Sequence, residues 1–335
     1  IKKSEVEAYI QNHEDDFKVE ASKDISYVKF DIVATAADEE AIKENVGTLI
    51  EDFKAAENDA VFLSENDSDT NLNSNFQFKN LVNQEVADLI YAGNKGDVFG
   101  PYKDRELFKI SKIIEVVQMP DSVRASHILI PFLGSQRAAQ DVTRSEDDAK
   151  KLADSLLVVL KRSARKFGSF AKTFSSDLGS GAKEGDLDWF NYTRMTPAFR
   201  DYCFNGKKGD MDVVKSPFGF HIIKIDNQKN KQKVLKLASY SRKIVASEAT
   251  ENVVFRNAEE FALAVSQENG YFEIAKEKNY KPKPAIGLKS LDESVAGLGN
   301  QRQIVSWAFG SETNVNDFKR FDLDGSHVVV FVTAS

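Results

Sequence analysis

The sequence predicts an α+β fold in which helices surround small antiparallel sheets, with the same unit occurring three times along the chain. Two observations carry this. Three segments, 89–113, 202–225 and 306–332, share one ending: an apolar helix end, a glycine-bearing turn, then a β-rich run. Gly93-Asn94-Lys95-Gly96-Asp97 lies over Gly206-Lys207-Lys208-Gly209-Asp210 at an offset of 113 residues, and Phe204 lies over Phe309 at 105. Each offset is a normal domain length, and three such units fill most of the 335 residues.

The elements follow in order. Residues 1–24 read as a lead-in helix with one apolar stripe (Val6, Tyr9, Ile10), continuing from a region before Ile1. The three units then span 25–118, 120–228 and 229–335. Their opening strands are expected at 26–33, 124–131 and 234–244, and 117–122 and 227–233 read as linkers. In the middle unit Ser145 is a candidate N-cap with Asp148 three residues on. Leu152, Leu156 and Val159 follow at helical spacing, and Phe167, Phe170 and Phe174 mark a second helix. A third helix begins at Thr196-Pro197 and stops at Gly206, and Ser216-Pro217-Phe218-Gly219 is a turn before the last strand.

Composition narrows the function. Apolar residues are 41% and charged residues 29%, as in an ordinary globular chain. The formal net charge of -7 argues against nucleic acid as a partner. A single cysteine, Cys203, excludes an internal disulfide and a cysteine-rich zinc site. The histidines (His13, His127, His221, His327) are never close in sequence, and phosphate-loop and nucleophile-elbow motifs are missing. No metal or cofactor is expected.

The unusual residues cluster in the middle unit: Ala125-Ser126-His127-Ile128-Leu129-Ile130, Phe174-Ser175-Ser176-Asp177, Gly185-Asp186-Leu187-Asp188-Trp189-Phe190, Met195 with Phe199, and Phe218-Gly219-Phe220-His221. Alone, these histidines would be core residues, Asp177 a surface or capping residue, and Met195 and Phe199 a helical core face. Four motifs in this order over 122–228 resemble the parvulin family of peptidyl-prolyl cis-trans isomerases.

The resemblance implies a four-stranded antiparallel sheet whose first and last strands are central neighbours. It implies that His127 and His221 pair across those strands, with Asp177 beside the substrate carbonyl. Leu187, Met195 and Phe199 would receive the proline ring, and Ser216 would lie near the histidines. These seven are the expected site: His127, Asp177 and His221 catalytic, the other four substrate-binding. The chemistry fits without a cofactor, because twisting an imide over a barrier of about 18–20 kcal/mol needs no proton transfer. The sequence departs from the family at Asp188, often glycine there, which would be tolerable at positive φ, and at Leu178, often proline. No basic phosphate-binding loop follows Pro131, so no phosphoserine or phosphothreonine requirement is expected.

The flanking units look degenerate. Lys109 falls at the place of His221 in the first unit, and Gly325-Ser326-His327 retains the second histidine in the third. The expected partners are unfolded or proline-containing polypeptides. The resemblance further implies an envelope folding factor facing the periplasm, anchored in the inner membrane by a segment absent here. A binding-only holdase using the same pockets is the alternative, and a spacer with closed pockets a third reading.

Overall fold

The computed structural model describes residues 3–13, 21–268 and 270–335. Part of the lead-in helix expectation falls on 14–20, outside the described residues; Lys3–Asn12 is helical. In chain order the strands are β1 (Ser22–Asp31), β2 (Phe76–Gln77), β3 (Val98–Asp104), β4 (Leu107–Ile130), β5 (Asp186–Asn191) and β6 (Met211–Ser216). They continue with β7 (Gly219–Lys243), β8 (Lys283–Lys289), β9 (Ser294–Val295), β10 (Gly299–Asn300), β11 (Phe318–Leu323) and β12 (Ser326–Ala334). The chain forms two compact units, 46–242 and 1–45 with 243–335.

The 46–242 unit is built on two long strands, β4 and β7, which are neighbours in one sheet. β3 pairs with the first part of β4 (Val98↔Lys112, Asp104↔Leu107), and β5 pairs with its later part (Ser122↔Asn191, Ser126↔Asp186). β6 pairs with the start of β7 (Met211↔Lys224, Ser216↔Gly219), and β2 with its later part (Phe76↔Lys236). Two four-stranded sheets, β5-β4-β7-β6 and β3-β4-β7-β2, therefore share the same two central strands. The expected linkers 117–122 and 227–233 are the middles of these strands. Met119 and Pro120 are buried, and Pro120 sits where the strand passes from one pairing edge to the other, so its missing N–H is tolerated.

Helices close the β5-β4-β7-β6 sheet on both faces. Glu146–Arg162 is capped by Ser145, whose Oγ accepts the Asp148 N–H. Acidic residues fill its first turn and Lys161 and Arg162 its last, both favourable with the helix dipole. Its buried stripe is Ala149, Ala153, Leu156, Leu157 and Leu160; Leu152 is only partly buried and Val159 is exposed. Leu156 is thus the one of the three expected leucine and valine positions that is fully buried. Pro197–Asn205 begins after Thr196 and ends at Gly206, as its proline and glycine predict. It places Phe199, Cys203 and Phe204 in a core with Phe78, Phe190, Tyr192 and Ile223.

The other unit has the sheet order β11-β12-β1-β8. Glu248–Glu268 and Tyr271–Glu277 cover Val28, Phe30 and Val329, while Arg302–Ala308 covers Tyr27, Val328 and Val330 on the opposite face.

The pairing corrects the tandem order. β1, expected to open the first unit, pairs with β12 from Asp24↔Ala334 to Asp31↔Ser326. Residues 234–243, expected to open the third, continue β7 and lie beside β4; Ser239 and Ser111 hydroxyls meet at 2.6 Å. The two outer opening strands have exchanged sheets relative to the 25–118 and 229–335 boundaries. The α+β class stands; the contiguous three-domain arrangement does not match these sheets.

The hairpins also fix the equivalences. Gly219 pairs with Ser216 across a two-residue turn, and Ser326 pairs with Leu323 in the same way. Downstream, Ile225 bridges Asp210 as Val332 bridges Asp317 and Ile113 bridges Asp97. His221 therefore corresponds to Val328 and to Lys109. The expectation that His327 retains the second histidine fails. His327 lies on the opposite face, edge-on to Phe255 of the long helix, with its Nδ1 2.6 Å from Asp322 Oδ1.

Candidate active site

His127 and His221 stand on the central strands β4 and β7, and their rings stack at 5.3 Å with an interplanar angle of 16°. The two Nδ1 atoms are 3.0 Å apart. Both side chains are buried. Phe199 meets both rings edge-on, at 5.7 Å from His127 and 5.3 Å from His221. Leu187 and Met195 are half-buried and pack against the same cluster as Phe199.

Asp177 enters from a tight turn. It is the N-cap of Leu178–Gly181, and its Oδ1 accepts the Gly179 N–H at 3.1 Å. Its Oδ2 is 2.8 Å from His127 Nε2 and also accepts the Ser180 hydroxyl. The hydrogen bond from His127, reinforced by Ser180, holds the carboxyl well below the usual carboxylate range despite partial burial. Sequence reasoning missed Ser180. The signal was present: an N-capping aspartate with a hydroxyl residue three positions on brings the two side chains together.

On the other side, the Ser216 hydroxyl lies 2.7 Å from His221 Nε2, and the Phe218 N–H donates to Ser216 Oγ at 3.1 Å. Burial, with the neighbouring His127 second, pushes the His221 imidazole down to about 3, so it is neutral at ordinary pH. One donor–acceptor polarity runs through these contacts. Phe218 N–H donates to Ser216, Ser216 O–H to His221 Nε2, His221 Nδ1–H to His127 Nδ1, and His127 Nε2–H to the ionised Asp177. All four polar site residues expected from sequence are joined in one chain, and the three apolar ones lie in the core beside it.

Gly185 sets the spacing of this site. At φ +87°, a Cβ there would stand 2.6 Å from the His127 carbonyl oxygen, which accepts nothing so bulky. In turn the Gly185 carbonyl accepts the His127 N–H at 2.9 Å. Asp188 has φ 58°, the left-handed conformation its replacement of glycine anticipated.

The arrangement offers an ionised carboxylate, oriented dipoles and an aromatic wall. Neither Cys203 nor Ser216 is an accessible nucleophile. Burial pushes the Cys203 thiol up to about 12, and Ser216 Oγ is buried and engaged on both sides. Among the described residues no group of three histidine, cysteine or carboxylate side chains could hold a metal.

The profile of the PPIC-type PPIASE domain matches residues 108–229. The foldase protein PrsA of Staphylococcus aureus (strain bovine RF122 / ET3-1) is 36% identical over 107 residues, 32% of this chain and 33% of that protein. The chaperone SurA of Saccharophagus degradans is 25% identical over 240 residues, 68% of this chain and 54% of that protein. The chain thus spans about a third to a half of the length of the curated relatives it matches. Among solved structures, PrsA from Bacillus anthracis is 26% identical, covering 48% of this chain and 62% of that one at a TM-score of 0.26. The parvulin domain of PpiD from E. coli is 22% identical, covering 34% of this chain and 92% of that one at a TM-score of 0.25.

Proposed function

We propose that residues 108–229, which match the profile of the PPIC-type PPIASE domain, form a parvulin-type peptidyl-prolyl isomerase domain that twists Xaa-Pro imide bonds in unfolded polypeptides, and that the protein so assists the folding of secreted or envelope proteins. The observation that carries the reading is the chain Ser216–His221–His127–Asp177 beneath Phe199.

In this mechanism Leu187, Met195 and Phe199 hold the proline ring while the acyl half turns. The twisted imide has lost its resonance, and its charge distribution differs from both planar states. Ionised Asp177, fixed by its helix cap and by His127, supplies an oriented field beside the carbonyl. His127, His221 and Ser216 keep that carboxylate and the pocket wall in place, and no covalent bond to the protein forms. Specificity for the twisted state comes from this preorganisation.

Degenerate folds in the same chain, built on β3-β4-β7-β2 and β11-β12-β1-β8, would add weak contacts to an extended client, raising its effective concentration at the active site. The proposed setting is the cell envelope. No helix among the described residues is long and apolar enough to cross a membrane, so inner-membrane anchoring would need a segment outside them.

NMR exchange spectroscopy on a short Ala-Pro peptide tests the activity. Wild-type protein should accelerate cis-trans exchange, and Asp177→Ala combined with Phe199→Ala should return it to the uncatalysed rate. Peptide shifts on binding with exchange left at the uncatalysed rate would instead establish a binding-only chaperone.

A further inference from the structure

The helix that carries Phe199 cannot hold its own place. Pro197–Asn205 has nine residues and no side-chain hydrogen bond at its N-cap, so its position must come from packing. Part of that packing comes from upstream of residues 108–229. Phe78, just after β2, is 5% exposed and belongs to the same buried core as Phe199. Phe76 and Phe78 meet the Tyr192 ring at 6.4 and 5.8 Å. Tyr192 meets Phe204 at 5.2 Å, Phe204 meets Phe190 at 6.1 Å, and Phe190 meets Phe199 at 6.3 Å. A continuous run of edge-on and tilted rings therefore leads from β2 to the side chain that faces both histidines.

A polar latch closes the same contact. Arg200 follows Phe199 on the helix, and its side chain is 11% exposed. Its guanidinium lies over the Tyr192 ring at 4.3 Å and its Nε donates to Asp201 Oδ1 at 2.8 Å. Its Nη1 donates to Asn75 Oδ1, also at 2.8 Å. A planar fork serves all three partners at once, which a lysine cannot do. Asn75 is itself held, because its N–H donates to Asn73 Oδ1 at 2.9 Å. The next two residues pair with Lys236 and Leu235 of β7, and the Tyr91 hydroxyl donates to the Gln77 carbonyl. The segment is thus fixed to the sheet independently of the helix it touches.

We propose that Asn75, Phe76 and Phe78 are positioning residues of the isomerase site, seating the helix Pro197–Asn205 through Arg200 and Tyr192 and so setting where Met195 and Phe199 receive the proline ring. The role in isomerisation rests on the proposed function; the brace itself does not. The brace touches the wall that holds the ring and not the Asp177 carboxylate. Its loss weakens binding of the planar and twisted states alike, which raises KM and spares kcat.

The test is cis-trans exchange of the Ala-Pro peptide by NMR over a range of peptide concentrations, on the full chain. Asn75→Ala and Arg200→Lys should each raise KM about three- to tenfold with kcat within about twofold of wild type. Asn75→Asp keeps the acceptor and should restore the wild-type KM. Asn75 is exposed, so its variants keep the fold. In the peptide-free protein the Met195 methyl and Phe199 ring resonances should move in Asn75→Ala and Arg200→Lys and return in Asn75→Asp. An unchanged KM, a fall in kcat alone, or Met195 and Phe199 resonances that stay in place would overturn the proposal. Wild-type protein that leaves exchange at the uncatalysed rate would reject the isomerase reading; the brace would still be read, from those resonances and from the Kd of the peptide in place of KM.

Discussion

Burial keeps the His221 imidazole neutral, and that imposes a direction on the pH dependence. Its folded pKa, about 3, is below the unfolded value of 6.5, so below pH 6.5 the unfolded chain binds the extra proton. Its contribution to stability is complete above about pH 6.5 and is lost progressively as pH falls toward 3. Asp177, also depressed, adds a second loss only below its ordinary 3.8. Urea midpoints of wild type should therefore begin to fall near pH 6.5, and in His221→Gln the segment between pH 6.5 and 4 should flatten; an equal slope in both would reject a neutral buried His221. The same network predicts that His127→Ala lowers kcat/KM by about 10²-fold on an Ala-Pro peptide, since both the ring that positions Asp177 and its dipole are removed. At Asp188 the left-handed backbone sets a different expectation: Asp188→Gly is tolerated, while Asp188→Val costs about 1–2 kcal/mol in chemical denaturation. These residues were legible because their motifs are local: each contributes a short string around a strand end or turn, within 108–229. Ser180 escaped because its role arises only when the Asp177 cap folds the turn back onto itself.

At the scale of elements, what was legible was periodicity, and what was not was pairing over distance. Helix Glu146–Arg162 announces itself by its cap and apolar spacing, both properties of adjacent residues. His327 shows the limit. Matching Gly325 to Gly219 is natural in sequence, yet Gly325 lies in the turn at φ +66° whereas Gly219 already begins β7. That single step moves every side chain of the strand to the other face. The shared strands were hidden likewise, because Pro120 and the lysines of 227–233 imitate linkers. Their continuity has an energetic signature in Lys112, which β4 carries into the interior at 8% exposure. Its ammonium donates to the Phe53 and Ala56 carbonyls and lies 2.9 Å from Asp59 Oδ1. Lys112→Met removes the cation and strands Asp59 and two carbonyls, so it should destabilise the 46–242 unit by about 3–5 kcal/mol. A hydrogen-exchange loss below about 1 kcal/mol across 50–65 would show the pair to be expendable.

For the molecule as a whole, the exchange of opening strands decides which pieces of chain can fold. In a strictly tandem protein a contiguous fragment 229–335 would hold a complete sheet. Here β1 stands between β12 and β8, paired to both, and supplies Ile25 and Tyr27 to one core and Val28 and Phe30 to the other. Without it β8 has no partner in that sheet and two hydrophobic clusters each lose fully buried side chains, a deficit of several kcal/mol against the few that hold a domain together. The fragment 229–335 should therefore show no cooperative unfolding transition and poor amide dispersion. Fusing residues 22–31 to it through a flexible linker should restore both, because the antiparallel register from Asp24↔Ala334 to Asp31↔Ser326 needs only a strand in the right place. Cooperative folding of 229–335 alone would reject the interleaved topology and return the chain to three consecutive domains. The contact that creates this dependence joins positions about 300 residues apart, beyond the reach of any local pattern, and consecutive elements are neighbours often enough to make the tandem order the natural expectation.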